Sequence, residues 1–197
     1  KLSGKRDLAI IYLGITSGLR AAEIARVTLL SITQGKDCYE VRVRGKRNNH
    51  DPIGIDSTAY NLIMDFVTAW NAKLAADDPR RIDNETPVFQ PLMSGSHIPE
   101  IGTHKYDPAR GLSARAILKI VERRTEAALD QPITAHDMRR TCAALMRSHG
   151  FDIKTISSQL RHRSSATTDK YIGQEQDLSR SLLSKRISFT IPQESQS

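Results

Sequence analysis

The sequence predicts a mainly α-helical domain that carries one small antiparallel β-sheet, an α+β fold. Apolar residues recur at helical spacing along most of the chain, whereas the two-residue period of a strand appears in one short region. This strand content is too small and too local for a doubly wound sheet. The 197 residues, 39% hydrophobic and 26% charged, suit one folded domain or two small ones.

The first third of the chain predicts two helices and a hairpin. A helical pattern runs to the break at 17–19, and residues 20–30 open a second helix. Residues 38–43 alternate as a half-buried strand, residues 45–52 have turn chemistry, and residues 53–55 return as the partner strand. The tip of this hairpin is basic and polar and consists of Lys46, Arg47, Asn48, Asn49 and His50.

The rest of the chain predicts helices separated by loops. Residues 57–76 have one apolar stripe and predict a long helix, and loops follow at 76–87 and 91–111. Ser113 and Thr134 suit the N-cap positions of later helices, and Gly150 suits a helix end. Four further helices are predicted, over residues 113–129, 134–150, 152–160 and 177–187.

Charge and cysteine content narrow the class of protein. The formal net charge of +7 favours an anionic partner, most economically nucleic acid, although a basic protein without such a partner fits equally well. Cys38 and Cys142 lie far apart, with no metal-type spacing and no disulfide framework, which favours a reducing cytoplasm. No apolar run is long enough to cross a bilayer. Because the chain starts without Met at a helical pattern, we expect a fragment cut at a domain boundary.

Two stretches place arginines at helix starts. In TAHDMRRT, 134–141, a spacing of three puts His136 and Arg139 on one helix face beside exposed N–H groups, which would make a phosphate cradle. A solvated basic face explains the same pair equally well. In SGLRAAEI, 17–24, Arg20 sits where the helix dipole disfavours a cation. It is therefore either held for an anion or paired with Glu23.

A third stretch, LRHRSSATTDKY at 160–171, contains consecutive basic residues a short distance before one tyrosine. Arg161, His162 and Arg163 precede Tyr171 by a short polar run. A surface turn would explain the run, and so would a tyrosine that attacks an anion held by the cluster.

Taken in order, these stretches resemble the tyrosine recombinase (phage integrase) family from about Leu8 to Ile187. The family has an Arg in a Gly-Leu-Arg-x-x-Glu helix start, a Lys after a strand, His-x-x-Arg, and a His or Trp nine residues before the nucleophilic Tyr. The matching catalytic set here is Arg20, Lys46, His136, Arg139, His162 and Tyr171. One departure is Arg161, where the family usually has Gly; it would crowd the turn or add a phosphate contact.

The resemblance implies a DNA breaking-rejoining enzyme catalytic domain over residues 1–190, a flexible tail at 191–197, and a missing N-terminal core-binding domain. It implies cleavage of double-stranded DNA through a 3′-phosphotyrosyl intermediate, with no metal and no cofactor. Tyr171 would be the nucleophile, His136 the base or proton relay, and Lys46 the acid for the leaving oxygen. The expected DNA contacts are Arg47, Asn48, His50, Arg140, Arg161 and Arg163.

The resemblance also implies an assembly and an origin. We expect a homotetramer in the complex that joins two duplexes, with helix 177–187 docked in trans, while a monomer stays open for the isolated fragment. The expected source is bacterial or phage. Two alternatives stay open: relaxation of DNA by a type IB topoisomerase, and DNA binding without catalysis.

Overall fold

Six α-helices and three short β-strands make up the described part of the chain, and the predicted α+β class is confirmed. The computed structural model describes residues 1–36, 38–43, 52–103 and 106–161. The helices are α1 (Leu2–Ser17), α2 (Ala21–Ile24), α3 (Ser57–Asn71), α4 (Ala114–Leu129), α5 (Ala135–Ser148) and α6 (Ile153–Leu160). The strands are β1 (Ile32–Gln34), β2 (Tyr39–Val41) and β3 (Ile53–Ile55).

The second helix is much shorter than predicted. The expectation of a helix over 20–30 is wrong beyond Ile24, where α2 ends. The hydroxyl of Thr28 accepts from the backbone N–H of Ser31 at 3.1 Å, and Ser31 Oγ accepts from the N–H of Thr28 at 3.0 Å. These local bonds compete with helical ones and hold a 3₁₀ turn at Leu29–Ser31, from which the chain enters β1.

The sheet has three antiparallel strands in the order β1, β2, β3. The predicted pairing of the two later strands is confirmed, with Val41 opposite Ile53. Strand β1, which the sequence analysis missed, adds Ile32 opposite Val41. The buried side chains of the sheet face the helices. Among the described residues β3 is an edge strand, as Pro52 before it indicates.

The boundaries of the other helices follow from local hydrogen bonds. Helix α3 ends at Asn71, short of the predicted 76, since the Asn71 side chain bonds the backbone N–H and carbonyl of Ile82 at 2.8 Å and 2.9 Å. The predicted caps are confirmed, because Ser113 and Thr134 each accept a backbone N–H of the first turn. Gly150 follows α5 with a φ of 82°, the conformation expected of a glycine after a helix.

Helix α1 lies at the centre of the fold and packs against α3, α4 and α5. The core between them is apolar and includes Ile10, Leu13, Phe66, Trp70, Ile117 and Met138. A smaller cluster joins α5 to α6 and consists of Cys142, Ala143, Ile156 and Leu160. This second cluster sets the end of α6 beside the end of α1, which is where the candidate site lies.

Candidate functional site

A tight turn between α1 and α2 positions Arg20. Gly18 ends α1 in the left-handed conformation, with φ 67° and ψ 18°. A Cβ at Gly18 would overlap Leu160 and meet Cys142, so the close approach of α6 also requires glycine. Arg20 comes two residues later, at the N-cap of α2, with 43% of its side chain exposed.

Glu23 positions Arg20 through two hydrogen bonds. Its carboxylate is 3% exposed; Oε2 accepts from the backbone N–H of Arg20 at 2.8 Å, and Oε1 accepts from Arg20 Nη1 at 3.0 Å. The pairing that the sequence left open is therefore present. It leaves much of the guanidinium facing outward, so pairing with Glu23 and contact with an external anion are compatible.

Arg139 connects two distant turns. It lies in α5, is 6% exposed, and donates from Nη1 to the carbonyl of Gly18 and from Nη2 to the carbonyl of Leu160 at 2.5 Å. The first carbonyl lies two residues before Arg20 and the second two residues before His162. One buried cation thus fixes the turn that carries Arg20 against the segment that leads to His162.

His136 lies in the first turn of α5 and is exposed, in contrast to Arg139. The helix start is held by a capping box between Thr134, the predicted N-cap, and Asp137. Partial desolvation of the ring, and then the positive charge of Arg140, lower the pKa of His136 below its ordinary value of 6.5. The imidazole is therefore neutral at pH 7 and able to accept a proton.

Arg140 and Arg161, both predicted to contact DNA, occupy different environments. The Arg140 side chain is 28% exposed and lies 3.8 Å from the carboxylate of Asp137. The Arg161 side chain is 6% exposed, and its Nη2 lies 2.6 Å from Glu23 Oε1. The guanidinium of Arg161 is thus turned inward in this structure, and its contact with DNA stays a prediction.

Gln159 belongs to the same junction and was not predicted. Its Nε2 donates to the carbonyls of Gly54 at 2.8 Å and Ser17 at 3.2 Å, while its Oε1 accepts from the N–H of Gly54 at 3.2 Å. It therefore joins β3, the end of α1 and α6. A glutamine in a helix gives no sequence signal for such a role, since its partners are more than 100 residues away.

Cys142 lies under the same junction. Its thiol donates to the carbonyl of Thr16 at 3.2 Å, and burial raises its pKa to about 12. The thiol is therefore protonated and unreactive near neutral pH.

The structure thus brings Arg20, Arg139 and Arg161 together around the ends of α1 and α6, with His136 at the start of α5. The other predicted site residues lie outside the described residues: Lys46, Arg47, Asn48, His50, His162, Arg163 and Tyr171. Within the described ranges, no cluster of three or more His, Cys, Asp or Glu side chains could hold a metal ion. Over those same ranges, no helix is long and apolar enough to span a membrane.

Comparison with known sequences gives consistent matches. A sequence profile of the phage integrase family matches residues 1–177. The chain is similar to the tyrosine recombinase XerC of Staphylococcus epidermidis, with 27% identity over 168 residues that cover 85% of this chain and 49% of the relative. It is also similar to an integrase/recombinase xerD homolog of Selenomonas ruminantium, with 29% identity over 180 residues, 88% of this chain and 49% of the relative. The chain spans about half the length of these curated relatives.

Solved structures share the fold. The XerA recombinase superposes with a TM-score of 0.61 at 19% identity, covering 86% of this chain and 53% of that one. The XerH site-specific recombinase, solved bound to its difH substrate, superposes with a TM-score of 0.59 at 17% identity, covering 91% of this chain and 47% of that one. At these identities the likeness concerns the arrangement of helices and strands.

Proposed function

The chain belongs to the phage integrase family, and from that premise we propose that it supplies the active site of a tyrosine-type site-specific recombinase acting on double-stranded DNA. The observation that carries the proposal is the placement of Arg139, whose guanidinium donates to the carbonyls of Gly18 and Leu160. It joins the turn of Arg20 to the segment that leads to His162 and Tyr171. The net charge of +7 suits a phosphodiester substrate.

The proposed reaction is an exchange of phosphoester bonds. Tyr171 Oη attacks the scissile phosphorus and forms a bond to it, while the bond from phosphorus to the 5′-oxygen breaks. His136 takes the proton of the phenol, and Lys46 gives a proton to the leaving 5′-oxygen. A 3′-phosphotyrosyl link and a free 5′-hydroxyl result. Because the new ester conserves the bond energy, rejoining by the reverse steps needs no ATP, and the cationic side chains of the site take the charge-stabilising part that a metal ion plays in other phosphoryl-transfer enzymes.

Electrostatic stabilisation of the transition state accelerates strand cleavage in this proposal. The pentacoordinate transition state carries extra negative charge on the non-bridging oxygens, which the guanidinium of Arg20 and the ring of His162 stabilise by hydrogen bonds. Arg139, whose Nη1 and Nη2 donate to the carbonyls of Gly18 and Leu160, contributes its positive charge from the buried side of the site. A tyrosine with a pKa of about 10 needs help to react near neutral pH, and a cationic pocket favours its phenolate. The lowered pKa of His136 supports its role as the proton acceptor, since the neutral ring is the form that can act as a base.

DNA recognition and assembly complete the proposal. Arg47, Asn48 and His50, which the sequence predicts at a hairpin tip, contact the duplex and its phosphates together with Arg140 and Arg163. Recombination joins two duplexes and needs four active sites. The proposed working assembly is therefore a tetramer on DNA, with the predicted helix over residues 177–187 of each copy docked onto its neighbour.

The test uses the protein at its natural full length and a duplex that carries the junction sequence it recombines, identified from rejoined DNA in its source cells. A nick beside the cleavage site lets the short 5′-hydroxyl strand diffuse away, so that the covalent intermediate accumulates. We expect a protein–DNA adduct on a denaturing gel with the wild type. The Tyr171→Phe variant should give no adduct, yet bind the same duplex with nearly unchanged affinity, because only the nucleophilic oxygen is lost.

Other outcomes separate the alternatives. A wild-type protein that binds the duplex but forms no adduct would be a DNA-binding protein without catalysis. Relaxation of a supercoiled plasmid that lacks the junction sequence, at the same rate as one that contains it, would indicate a topoisomerase. An adduct that persists in Tyr171→Phe would assign the nucleophile to another residue.

A further inference from the structure

One buried carboxylate at the site has two cationic partners. Glu23 Oε1 lies 3.0 Å from Arg20 Nη1 and 2.6 Å from Arg161 Nη2. The side chains of Glu23 and Arg161 are 3% and 6% exposed, whereas that of Arg20 is 43% exposed. In this cluster of Glu23, Arg20 and Arg161, the side chains of Glu23 and Arg161 are therefore buried, and that of Arg20 is the exposed one.

The charges of the cluster do not cancel. A buried Glu23 paired with Arg20 alone would be a neutral pair, and the attraction of Arg20 for an external anion would be reduced by the carboxylate behind it. Two guanidinium cations around one carboxylate leave one net positive charge. Because Arg161 is buried and Arg20 is exposed, the positive charge that remains is presented at Arg20. Its effect is enlarged where water is excluded.

The backbone of Arg161 supports a dedicated role for its side chain. Arg161 ends α6 in the left-handed conformation, with φ 50° and ψ 48°. Glycine adopts this conformation without strain, whereas a residue with a Cβ needs compensation from the surrounding structure. The ion pair with Glu23 is a contact that glycine could not make.

We infer that Arg161 is a positioning residue for the proposed strand-cleavage reaction: it neutralises Glu23, so that Arg20 keeps its positive charge for the scissile phosphate. The inference rests on the proposed function and deepens it. It differs from the direct DNA contact predicted from the sequence, since the guanidinium of Arg161 faces Glu23. Arg161 acts through Arg20, which is the group that contacts the substrate.

The test compares two nicked duplexes with the intact natural protein. One carries the ordinary phosphodiester at the cleavage site, and the other a methylphosphonate, in which a methyl group replaces one non-bridging oxygen and removes the negative charge. Arg161→Met keeps most of the side-chain volume and removes the cation. We expect it to slow adduct formation roughly 10- to 100-fold on the phosphodiester, as is typical when a group that orients a functional residue is lost. The loss should be several-fold smaller on the methylphosphonate, and Arg161→Lys should restore part of the rate.

The matched control is Arg6→Met. Arg6 is also a buried arginine, 5% exposed, and is paired with a buried carboxylate, Asp7, at 2.8 Å near the other end of α1. A purely structural loss should slow both substrates by the same factor, as we expect for Arg6→Met. Equal slowing of both substrates by Arg161→Met, or no slowing, would overturn the inference.

Failure of the proposed function gives a different result. A wild-type protein that forms no adduct with the ordinary phosphodiester would reject the proposed function, and the role of Arg161 would then rest on anion binding alone. The side-chain Nε–H resonance of Arg20, followed by NMR during addition of sulfate, measures this directly. Arg161→Met should weaken sulfate binding at Arg20 several-fold, and an unchanged affinity would reject the role.

Discussion

At the scale of single residues, Arg139 is both a cation of the site and a residue that holds two backbone segments together. Two of its guanidinium nitrogens donate to backbone carbonyls of Gly18 and Leu160, which come from different ends of the sequence. A lysine has one side-chain nitrogen on a flexible stem and cannot reproduce this fork. The geometry of the site therefore depends on the identity of this side chain as well as on its charge.

The protonation of His136 gives a residue-scale prediction. Desolvation and the charge of Arg140 lower its pKa, so the neutral ring persists below pH 6.5 and is lost only as the pH falls further. In the proposed mechanism a protonated ring cannot accept the phenolic proton of Tyr171. The acidic limb of the cleavage rate at subsaturating DNA, which reports the DNA-free protein, should therefore also lie below pH 6.5. An NMR titration of the DNA-free protein, with His136→Gln to assign the resonance, should give a midpoint below 6.5. A midpoint at or above 6.5 would contradict this environment.

At the scale of elements, the last turn of α6 is the junction of the site. Three consecutive residues each contact a different element: Gln159 bonds Gly54 in β3, the carbonyl of Leu160 accepts from Arg139 in α5, and Arg161 pairs with Glu23 in α2. A shift of this turn would therefore move all three partners. His162 follows it directly in the sequence.

Replacing Gln159 tests this junction. The Gln159→Leu variant keeps the approximate size of the side chain but removes three hydrogen bonds, two of which complete the outer edge of β3 at Gly54. We expect the free energy of unfolding to fall by about 1–3 kcal/mol, because partly buried backbone groups of Gly54 and Ser17 lose their partners. Chemical denaturation measures the loss, and faster hydrogen exchange at the Gly54 amide should accompany it.

Ser158→Ala is the control on the same helix, since Ser158 is exposed. It should change the free energy of unfolding by less than about 0.5 kcal/mol. If the Gly54 amide were equally protected in Gln159→Leu and the wild type, the side-chain bonds to β3 would not contribute in solution.

The elements differ in how far the sequence predicts them. Long amphipathic helices with capping residues, such as those that begin after Ser113 and Thr134, are set by local signals and were predicted within a residue or two. Strand β1 has one apolar residue, Ile32, and so shows no alternation from which it could be recognised. Helix α2 is short because Thr28 and Ser31 bond to each other's backbone, a competition that apolar periodicity does not register.

At the scale of the whole molecule, α1 connects the core to the site. Its C-terminal end forms the turn of Arg20, while its N-terminal half is fixed to α4 through a buried carboxylate. Asp7 is 2% exposed, accepts from Arg6 at 2.8 Å and 2.9 Å, and accepts from Arg124 at 2.7 Å. The position of the site relative to the core therefore depends on this ion cluster.

The Asp7→Asn variant tests that dependence. It leaves the buried guanidinium of Arg6 without its counterion, which typically costs about 3–5 kcal/mol in the free energy of unfolding. The control is Asp65→Asn, which breaks the exposed pair with Lys5, whose side chains are 51% and 41% exposed. Exposed pairs contribute about 0–1 kcal/mol. Thermal and denaturant unfolding should separate the two variants clearly, and equal losses would contradict the role assigned to Asp7.

The site as a whole was only partly predictable. Arg20 and Arg139 carry recognisable motifs, so the sequence identified them and their resemblance to a catalytic set. The inward orientation of Arg161 and the contacts of Gln159 depend on partners more than 100 residues away in the chain. Such contacts arise only when α1, β3 and α6 pack together, and no local pattern encodes them.

The burial of Cys142 has a practical consequence for labelling this protein with a fluorophore. The chain has two cysteines, and the other, Cys38, is exposed just before β2, which precedes the basic residues Lys46 and Arg47 in the sequence. A maleimide fluorophore should therefore attach at Cys38 alone in the folded state, without mutagenesis. The dye would then report the binding of the duplex that is proposed to contact these residues, while the thiol of Cys142 stays unmodified.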